Sequence, residues 1–592
     1  SLQTRSVLTT RVFSLFAVAL VACSGDRLGP RFPLQGPMER DPDLDVVDAG
    51  CHREDGKEVC GPREYVSSFA WDAADNTVFR PISAFFAVSP AGRARNVNAF
   101  DEVPSSSWFT NRARLPRTDA EIAEGPCAGG PRIETADEGR GIVVDRGKDN
   151  GANPGFRVKI PGKGKFMLKV DTPTEPERAT GATTIATRLY YAAGWNAACD
   201  SVVYLDPATF TLAPGLTITD NTGVTKPLDA ARLQAMLTGA SRRARPFATA
   251  SVARDGGPTS TGARVRFVAS RWLDGRPLGP FTYEGTKDDD PSDVVPHEDR
   301  RDLRGARLMA AWLDHFDSRE QNSMAIWLPD GADPKKGVSR HYYIDLGDCF
   351  GSQWAWPSIT WRLNYAYYFD APAIGTDFLT LGLVRRPWDT TTKPYPDTIF
   401  GYFRATDFDP EAWQGGYPNP AFGRMQEADG AWFARILARF EKHHLAAAVG
   451  EGDFTDPKQT KYLLDALWER RTRILQRYLA KLAPLDVPTV AGSDLCTDDL
   501  ALASGIAGDE QLHPAATLHD AALTRPLAVR RAGTQLCVAV PRTLSPAVSA
   551  PPDAQVRYRV LEIADGWSQR ALRVHYYEQA DGTPRVAGLE RN

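Results

Sequence analysis

Apolar positions recur with two different periods along this chain, and the changes of period mark its parts. Between residues 141 and 170, Phe156, Val158 and Ile160 alternate with Arg157 and Lys159, the two-residue period of a strand. Pro161-Gly162-Lys163-Gly164 then turns the chain into Phe166-Met167-Leu168-Lys169-Val170, a second strand with a lysine inside it. A short apolar run at 141–145 precedes them, and Gly147, Gly151 and Gly155 punctuate the polar stretch between. After Pro176 the period lengthens: Ile185, Leu189 and Ala192 share a helical stripe that Gly194 stops. A second helix from about Asp302 carries Leu303, Ala306, Ala310 and Leu313 on one face. Residues 324–328 and 341–346 read as strands around a charged turn at 329–340. Two later helices follow, one with Trp432, Ile436, Leu437 and Phe440, the other opening at Asp456-Pro457 with Leu464, Leu467, Ile474, Tyr478 and Leu482 on one face. Beyond 484–488 the period is two again, in 535–540, in Val556, Tyr558 and Val560, and in Leu572, Val574 and Tyr576, with Asp581-Gly582 as a hairpin signal. The predicted class is α+β, followed by a small all-β, sandwich-like domain from 486 to 592. Residues 65–140 show no usable period.

The beginning of the chain bears on its location. Arg5 and Arg11 precede an apolar run at 12–22 that is too short to span a bilayer, the pattern of a signal peptide. Leu20-Val21-Ala22-Cys23 resembles the lipobox of bacterial lipoproteins, which implies removal of residues 1–22 and acylation of Cys23. Ser24 after it implies outer-membrane sorting; an ordinary signal peptide cut nearby is the alternative. Residues 23–64, rich in Asp, Gly, Pro and Arg, read as a tether. No later apolar stretch has transmembrane length, so contact with the membrane is expected through the lipid anchor only. A net charge of -4 and a pI near 6.2 give no basic field for nucleic acid.

Of the eight cysteines, Cys23 is assigned to lipid and the other seven suit an oxidising compartment. Cys51 and Cys60 flank a short polar loop, Cys496 and Cys537 share the C-terminal region, and Cys127 and Cys199 form a longer-range candidate pair. Sequence alone leaves this connectivity open. No zinc spacing occurs, and His443 and His444, being adjacent, make a poor metal pair on a helix. Asp288, Asp289, Asp290 and Asp293 lack the calcium-loop spacing and read as a solvated acidic loop. The aromatic segment with Trp354, Trp356, Trp361, Tyr365, Tyr367 and Tyr368 reads as core rather than as a sugar-stacking surface.

The candidate chemistry lies in His315-Phe316-Asp317-Ser318-Arg319-Glu320-Gln321-Asn322 and in Tyr342-Tyr343-Ile344-Asp345-Leu346-Gly347. An Asp, an Asn five residues later and a second Asp at the end of an apolar run is a spacing that phosphoryl transfer uses to hold a base and a metal ion. Capping residues in an unrelated loop are the competing explanation.

Taken in order, the lysine strand, the helix ending Ala192-Ala193-Gly194-Trp195, the Asp317/Asn322 pair and the Ile344-Asp345-Leu346-Gly347 strand end resemble atypical kinases of the HipA type and the phosphoinositide-kinase-like group, over roughly residues 141–485. The resemblance implies a bilobal domain, with a β-rich N-lobe at 65–280 and a helical C-lobe at 281–485. It implies ATP with Mg²⁺ or Mn²⁺ as cofactor, Gly151 and Gly155 near the phosphates, and Lys169 reaching them. Trp272 or Leu273 would cover the adenine while the hinge backbone meets it. Asp317 would act as base, and Asn322 and Asp345 as metal ligands. His315 would position the loop, and Arg319 would be structural or touch phosphate. One position departs from the pattern: where such kinases carry a Glu early in the helix to pair the lysine, this chain has Thr183, with Glu177 as the nearest substitute.

The expectation is therefore a lipid-anchored envelope protein that transfers a phosphoryl or nucleotidyl group from a nucleoside triphosphate to an unknown acceptor, whether protein, glycan or small molecule. The alternative is a non-catalytic pseudokinase that binds a peptide or glycan.

Overall fold

The computed structural model describes residues 28–592 apart from 67–70, 72–73, 81, 84–91, 113–116, 149–152, 220–223, 239, 241, 245–262, 332, 353–359, 521–522, 543–557, 580 and 592. The expected signal peptide and Cys23, as well as Gly151, Trp354 and Trp356, lie outside the described residues. The protein is mixed α+β with several sheets, and it divides into two compact units.

The larger unit takes residues 39–97 and 103–478. Its main sheet is built from β1 (Ile142–Gly147), β2 (Gly155–Ile160), β3 (Gly164–Lys169), β4 (Asp200–Leu205) and β5 (Ala263–Arg271). β1, β2 and β3 form an antiparallel meander, and β5 pairs with β3 and with β4. The alternation that predicted the strands now has its cause: Phe156, Val158, Ile160, Phe166, Leu168 and Val265 enter one core, where each leaves water at a gain of about 1.5–3 kcal/mol. Helix α1 (Arg178–Ala193) follows β3 and ends at Gly194, whose φ is 128° and whose added Cβ would lie 2.2 Å from the Phe109 ring.

A second sheet joins β6 (Arg276–Gly279), β7 (Ser323–Asp330) and β8 (Asp333–Tyr343), with Val47–Asp48 added at the edge of β8. The charged stretch at 329–340, read as a turn, is instead mostly strand. β7 and β8 pair almost to their ends, and Trp327 of β7 is buried with Leu278 and Ala325. Helix α2 (Arg301–Leu313) precedes β7 and is buried almost throughout. Helices α3 (Glu427–Ala438), α4 (Lys442–Gly450) and α5 (Pro457–Leu479) complete the unit.

Two expectations are corrected here. Residues 39–64 are not a tether: Asp43 is buried against Ser107, and Cys51–Glu54 pairs with Lys57–Cys60 through a Cys51–Cys60 disulfide. The acidic loop is solvated only in part: Asp288 is exposed and Asp289 half-buried, but Asp290 and Asp293 turn inward. Asp293 binds His297 Nε2 at 2.8 Å, and Asp290 accepts from Ser292 and Ser339, so these carboxylates are buried hydrogen-bond acceptors.

The smaller unit gathers residues 28–38, 98–102 and 479–592. Strands Thr489–Ala491, Asp494–Asp498, Gln535–Ala539 and Val529–Ala532 form one sheet, and Thr524–Leu527, Ala515–His519, Tyr558–Ala564, Leu572–Glu578 and Pro584–Glu590 form another. Leu495 and Val538 from the first share a core with Leu518, Leu561 and Val574 from the second. Residues 28–38, also expected to be tether, pack here: Leu28 sits with Tyr558 and Val560, and Phe32 lies 4.8 Å from His575. Cys496–Cys537 and Cys127–Cys199 are bonded, which leaves Cys349 as a buried free thiol. Three disulfides are compatible with an extracytoplasmic location, and no helix among the described residues is long and apolar enough to cross a membrane.

Candidate functional site

β3 delivers Lys169 at its last position, opposite Gly155 on β2 and Val268 on β5. The absence of a side chain at 155 is what admits it: a Cβ there would stand 2.7 Å from the Leu168 carbonyl and 3.1 Å from Lys169 Cγ. The Lys169 ammonium reaches Asp345 Oδ1 at 2.6 Å. Beside them opens a cleft of about 430 Å³ lined by Lys148, Met167, Asp200, Trp272, Leu273 and Ile326, among others. Apolar walls with a few convergent charges are the usual make-up of a small-molecule site. Trp272 and Leu273 line the cleft, and the Trp272 backbone N–H is already given to the Lys165 carbonyl at 3.0 Å.

The loop after α2 is held from behind. Asp314 ends the helix in the left-handed region, with φ 59°. Arg470 Nε donates to the Trp312 carbonyl at 3.0 Å, satisfying a group that the helix end leaves open, and Trp312 Nε1 donates to the Leu467 carbonyl at 2.9 Å. From this anchor the chain places His315, whose Nδ1 lies 2.8 Å from the Tyr190 hydroxyl on α1. Burial pulls the His315 imidazole down to about 4 against the pull of Asp317 and Asp345, so the ring is neutral at pH 7. Asp317 accepts from Asn322 Nδ2 at 2.9 Å and faces Arg319 Nε at 3.0 Å, and Arg319 lies over the Tyr417 ring at 5.1 Å. The Asp317/Asn322 spacing is therefore a closed local unit. It meets the Asp345 strand end where the Ile344 N–H donates to the Asn322 carbonyl at 3.1 Å.

Asp345 itself sits at φ 54°, ψ 48°, a left-handed conformation uncommon for any residue with a side chain. Arg178 at the start of α1 grips the turn that follows, donating to the Gly347 carbonyl at 2.8 Å while bound to Glu175 at 2.6 Å. Burial raises the Asp345 carboxyl, but Lys169 and then Lys148 outweigh it and hold the group well below the usual carboxylate range. Lys148 in turn is pulled down to about 8 by burial and by the Lys169 charge. Asp348 has the opposite fate: burial pushes it up, the Asp317 N–H donating to it at 2.9 Å opposes, and the Asp345 charge adds to the rise. Asp317 is raised too, by burial first and by Asp348, with Arg319 opposing.

Asn322 and Asp345 offer hard oxygen donors of the kind Mg²⁺ and Mn²⁺ take, and the anionic state of Asp345 fits a cation. Asp317, Asp345 and Asp348 do not bring their carboxylate oxygens within 4.8 Å of one another. The group of described residues that does so is Asp119, His443 and His444. There the adjacent histidines do come together, but His444 uses both ring nitrogens, on the Glu441 N–H and the Arg117 carbonyl.

The structure thus brings Lys169, Trp272, Leu273 and Asp345 to one cleft, sets Gly155 beside Lys169 on the neighbouring strand without lining the cleft, and links Asp317 and Asn322 to it through the backbone. Glu177 does not serve as the lysine's helical partner. Its carboxylate accepts from the Thr455 N–H at 2.7 Å and from the Thr455 hydroxyl, while the Thr183 hydroxyl donates to the Ala179 carbonyl. Sequence reasoning missed Lys148, Asp200 and Asp348. Asp348 had a signal, standing three residues after Asp345; Lys148 and Asp200 had none short of the tertiary fold. No protein-family model, no curated protein and no solved structure matches the chain.

Proposed function

We propose that the larger unit is a kinase-like domain with β1–β5 and α1 as its N-lobe and α2–α5 with the β7–β8 hairpin as its C-lobe. It binds a nucleoside triphosphate in the cleft and transfers a phosphoryl or nucleotidyl group to an acceptor. The observation that carries this reading is the Lys169–Asp345 pair at 2.6 Å beside a cleft of about 430 Å³, with the Asp317/Asn322 loop one backbone hydrogen bond away. Lys169 and Lys148 give the cleft the cations that phosphates require. Asp317, raised by burial, is suited to accept a proton from an attacking hydroxyl near neutral pH. A Mg²⁺ or Mn²⁺ ion bound with the nucleotide by Asn322 and Asp345 would neutralise phosphate charge. His315, neutral and tied to Tyr190, positions the loop rather than moving protons.

One observation favours the second reading, a nucleotide-independent binding protein. Helix α1 supplies no carboxylate to Lys169, whose direct ion pair is with Asp345, and a locked lysine–aspartate pair is also a stable resting arrangement without ligand. Thermal melting with ATP and Mg²⁺ or Mn²⁺ separates the two. Stabilisation that grows with nucleotide and disappears in Asp345→Ala is expected. Indifference of the wild-type chain to millimolar nucleotide with either metal would leave only the binding protein.

A further inference from the structure

The helix Ala371–Thr380 buries none of its residues, and the chain that leaves it continues the same way. Phe378 is 79 % exposed, Leu379 82 %, Leu381 87 % and Leu383 84 %, with Ile374 and Val384 also exposed. Among the described residues a second, less exposed group lies at Trp71, Val78, Phe79 and Ile82, where Trp71 and Phe79 stack on each other, and most of the rest are scattered singly; the group at 374–384 is the more open of the two. Side chains this open stand on a convex tip, where Leu381 and Gly382 turn the chain with φ 52° and 74°.

Nor is the tip loosely held. Asp370 caps the helix through the Ala373 N–H at 2.9 Å. Arg386 returns to it, binding Asp377 at 2.6 Å and the Ala373 carbonyl at 2.8 Å, and its own N–H donates to Asp389 at 2.8 Å. The fold therefore spends one capping carboxylate and a three-way arginine clamp on presenting leucines and phenylalanine to solvent. At the base of the tip, the guanidinium groups of Arg362 and Arg386 lie 5.4 Å and 5.9 Å from the Trp388 ring, and Arg385 is exposed. Arg386 offsets the charge of Asp377, while Asp389 and Asp370 keep theirs, since they accept only from backbone N–H groups; Arg385 is the exposed cation of the tip itself.

We propose that residues 374–385 form a membrane-insertion tip: Phe378, Leu379, Leu381, Leu383 and Val384 enter the acyl boundary of a bilayer, Trp388 lies at headgroup level, and Arg385 meets anionic headgroups. A convex apolar tip over an aromatic base flanked by arginines is the arrangement that interfacial anchors use, whereas a protein partner is generally met by a flatter patch. The inference is independent of the nucleotide reading and adds a membrane contact separate from any acyl chain.

The test uses the full chain carrying Cys23→Ser, so that acylation cannot contribute. It is mixed with vesicles of phosphatidylethanolamine and phosphatidylglycerol, or of phosphatidylcholine alone, and sedimented. The chain is expected to pellet with the anionic vesicles and less with phosphatidylcholine. Leu379→Glu, Leu381→Glu and Leu383→Glu together should weaken binding by about tenfold or more at an unchanged melting temperature, since these side chains touch little protein. Arg385→Gln should weaken binding to anionic vesicles only. As a readout that does not depend on the triple variant folding, a polarity-sensitive dye on Leu381→Cys should shift to the blue on anionic vesicles. The proposal is overturned if the chain stays in the supernatant with both vesicle types, if the triple variant pellets like its parent, or if the dye does not shift. It is also overturned if the tip proves to join two copies of the chain, seen as a dimer that the triple variant dissociates without any change in vesicle binding.

Discussion

Asp345 and Asp348 stand three residues apart in one turn and titrate in opposite directions, although both are carboxylates taken partly or wholly out of water. Burial acts alike on both, raising them. The difference is in who faces them: Asp345 looks into the cleft at Lys169 and Lys148, whereas Asp348 looks inward, at the Asp317 N–H and at His315 Nε2 3.5 Å away. A single turn thus offers a carboxylate whose ionised form is favoured on its cleft side and one whose proton affinity is raised on its inner side. Burial alone makes neither a metal ligand nor a base; the sign of the nearest charge does.

The largest test of that contrast is Lys169→Met. Nucleotide-dependent stabilisation should vanish, and the free protein should lose about 1–2 kcal/mol at pH 7, a figure discounted for the partial exposure of Asp345. A carboxylate held below its unfolded value adds stability that is present above the unfolded pKa and is lost on acidification. The deficit should therefore shrink as the pH falls below about 4, which denaturant titration at several pH values would check. Should the deficit be equal at all pH values, the cleft side would owe nothing to the ion pair.

Asp348→Asn probes the inner side with a smaller effect of opposite sign. Because its folded pKa is raised, the wild-type carboxyl stabilises the fold most in acid, and this contribution falls as the pH climbs from the unfolded value through the folded one. Relative to wild type, the variant should gain about 1 kcal/mol or more between acid and slightly alkaline pH. A constant difference across that range would show that Asp348 titrates like an exposed carboxylate and would dissolve the contrast. Least affected should be Glu177→Gln. Losing one charge at Thr455 should cost about 0.5–1 kcal/mol and leave nucleotide stabilisation intact, whereas loss of nucleotide response would mean that α1 does supply the partner of Lys169.

Much of this architecture could be read from residue order, where period and punctuation act locally. The meander carrying Lys169, the helix stopped by Gly194, α2 with Leu303 and Leu313, and the Asp456-Pro457 helix start all follow from one face being apolar and one cap being polar. The fold at residues 39–64 was hidden for the opposite reason. Its order comes from Asp43 meeting Ser107 and from Val47 pairing with Gly337, contacts that are polar or backbone-borne and leave no apolar period. Asp290 and Asp293 misled in the same way, since a carboxylate satisfied by Ser339 or His297 looks in sequence like a solvated one. In the site, Lys169, Asp317 and Asp345 could be named from spacing. That Asp345, rather than Glu177, takes the lysine depends on the left-handed turn and the Arg178 grip, which are properties of assembled elements.

Cys349 has a practical consequence. Its sulfur is fully enclosed and burial pushes its thiol up, so in the native molecule it is neither reachable nor nucleophilic. Three bonded pairs remove every other cysteine among the described residues from such chemistry. A maleimide added to the folded chain therefore finds no thiol among the described residues, and one added under graded denaturant labels Cys349 there in proportion to the opened population. The molecule carries its own single-point gauge of how tightly the turn behind Asp345 is closed, with no engineered probe required.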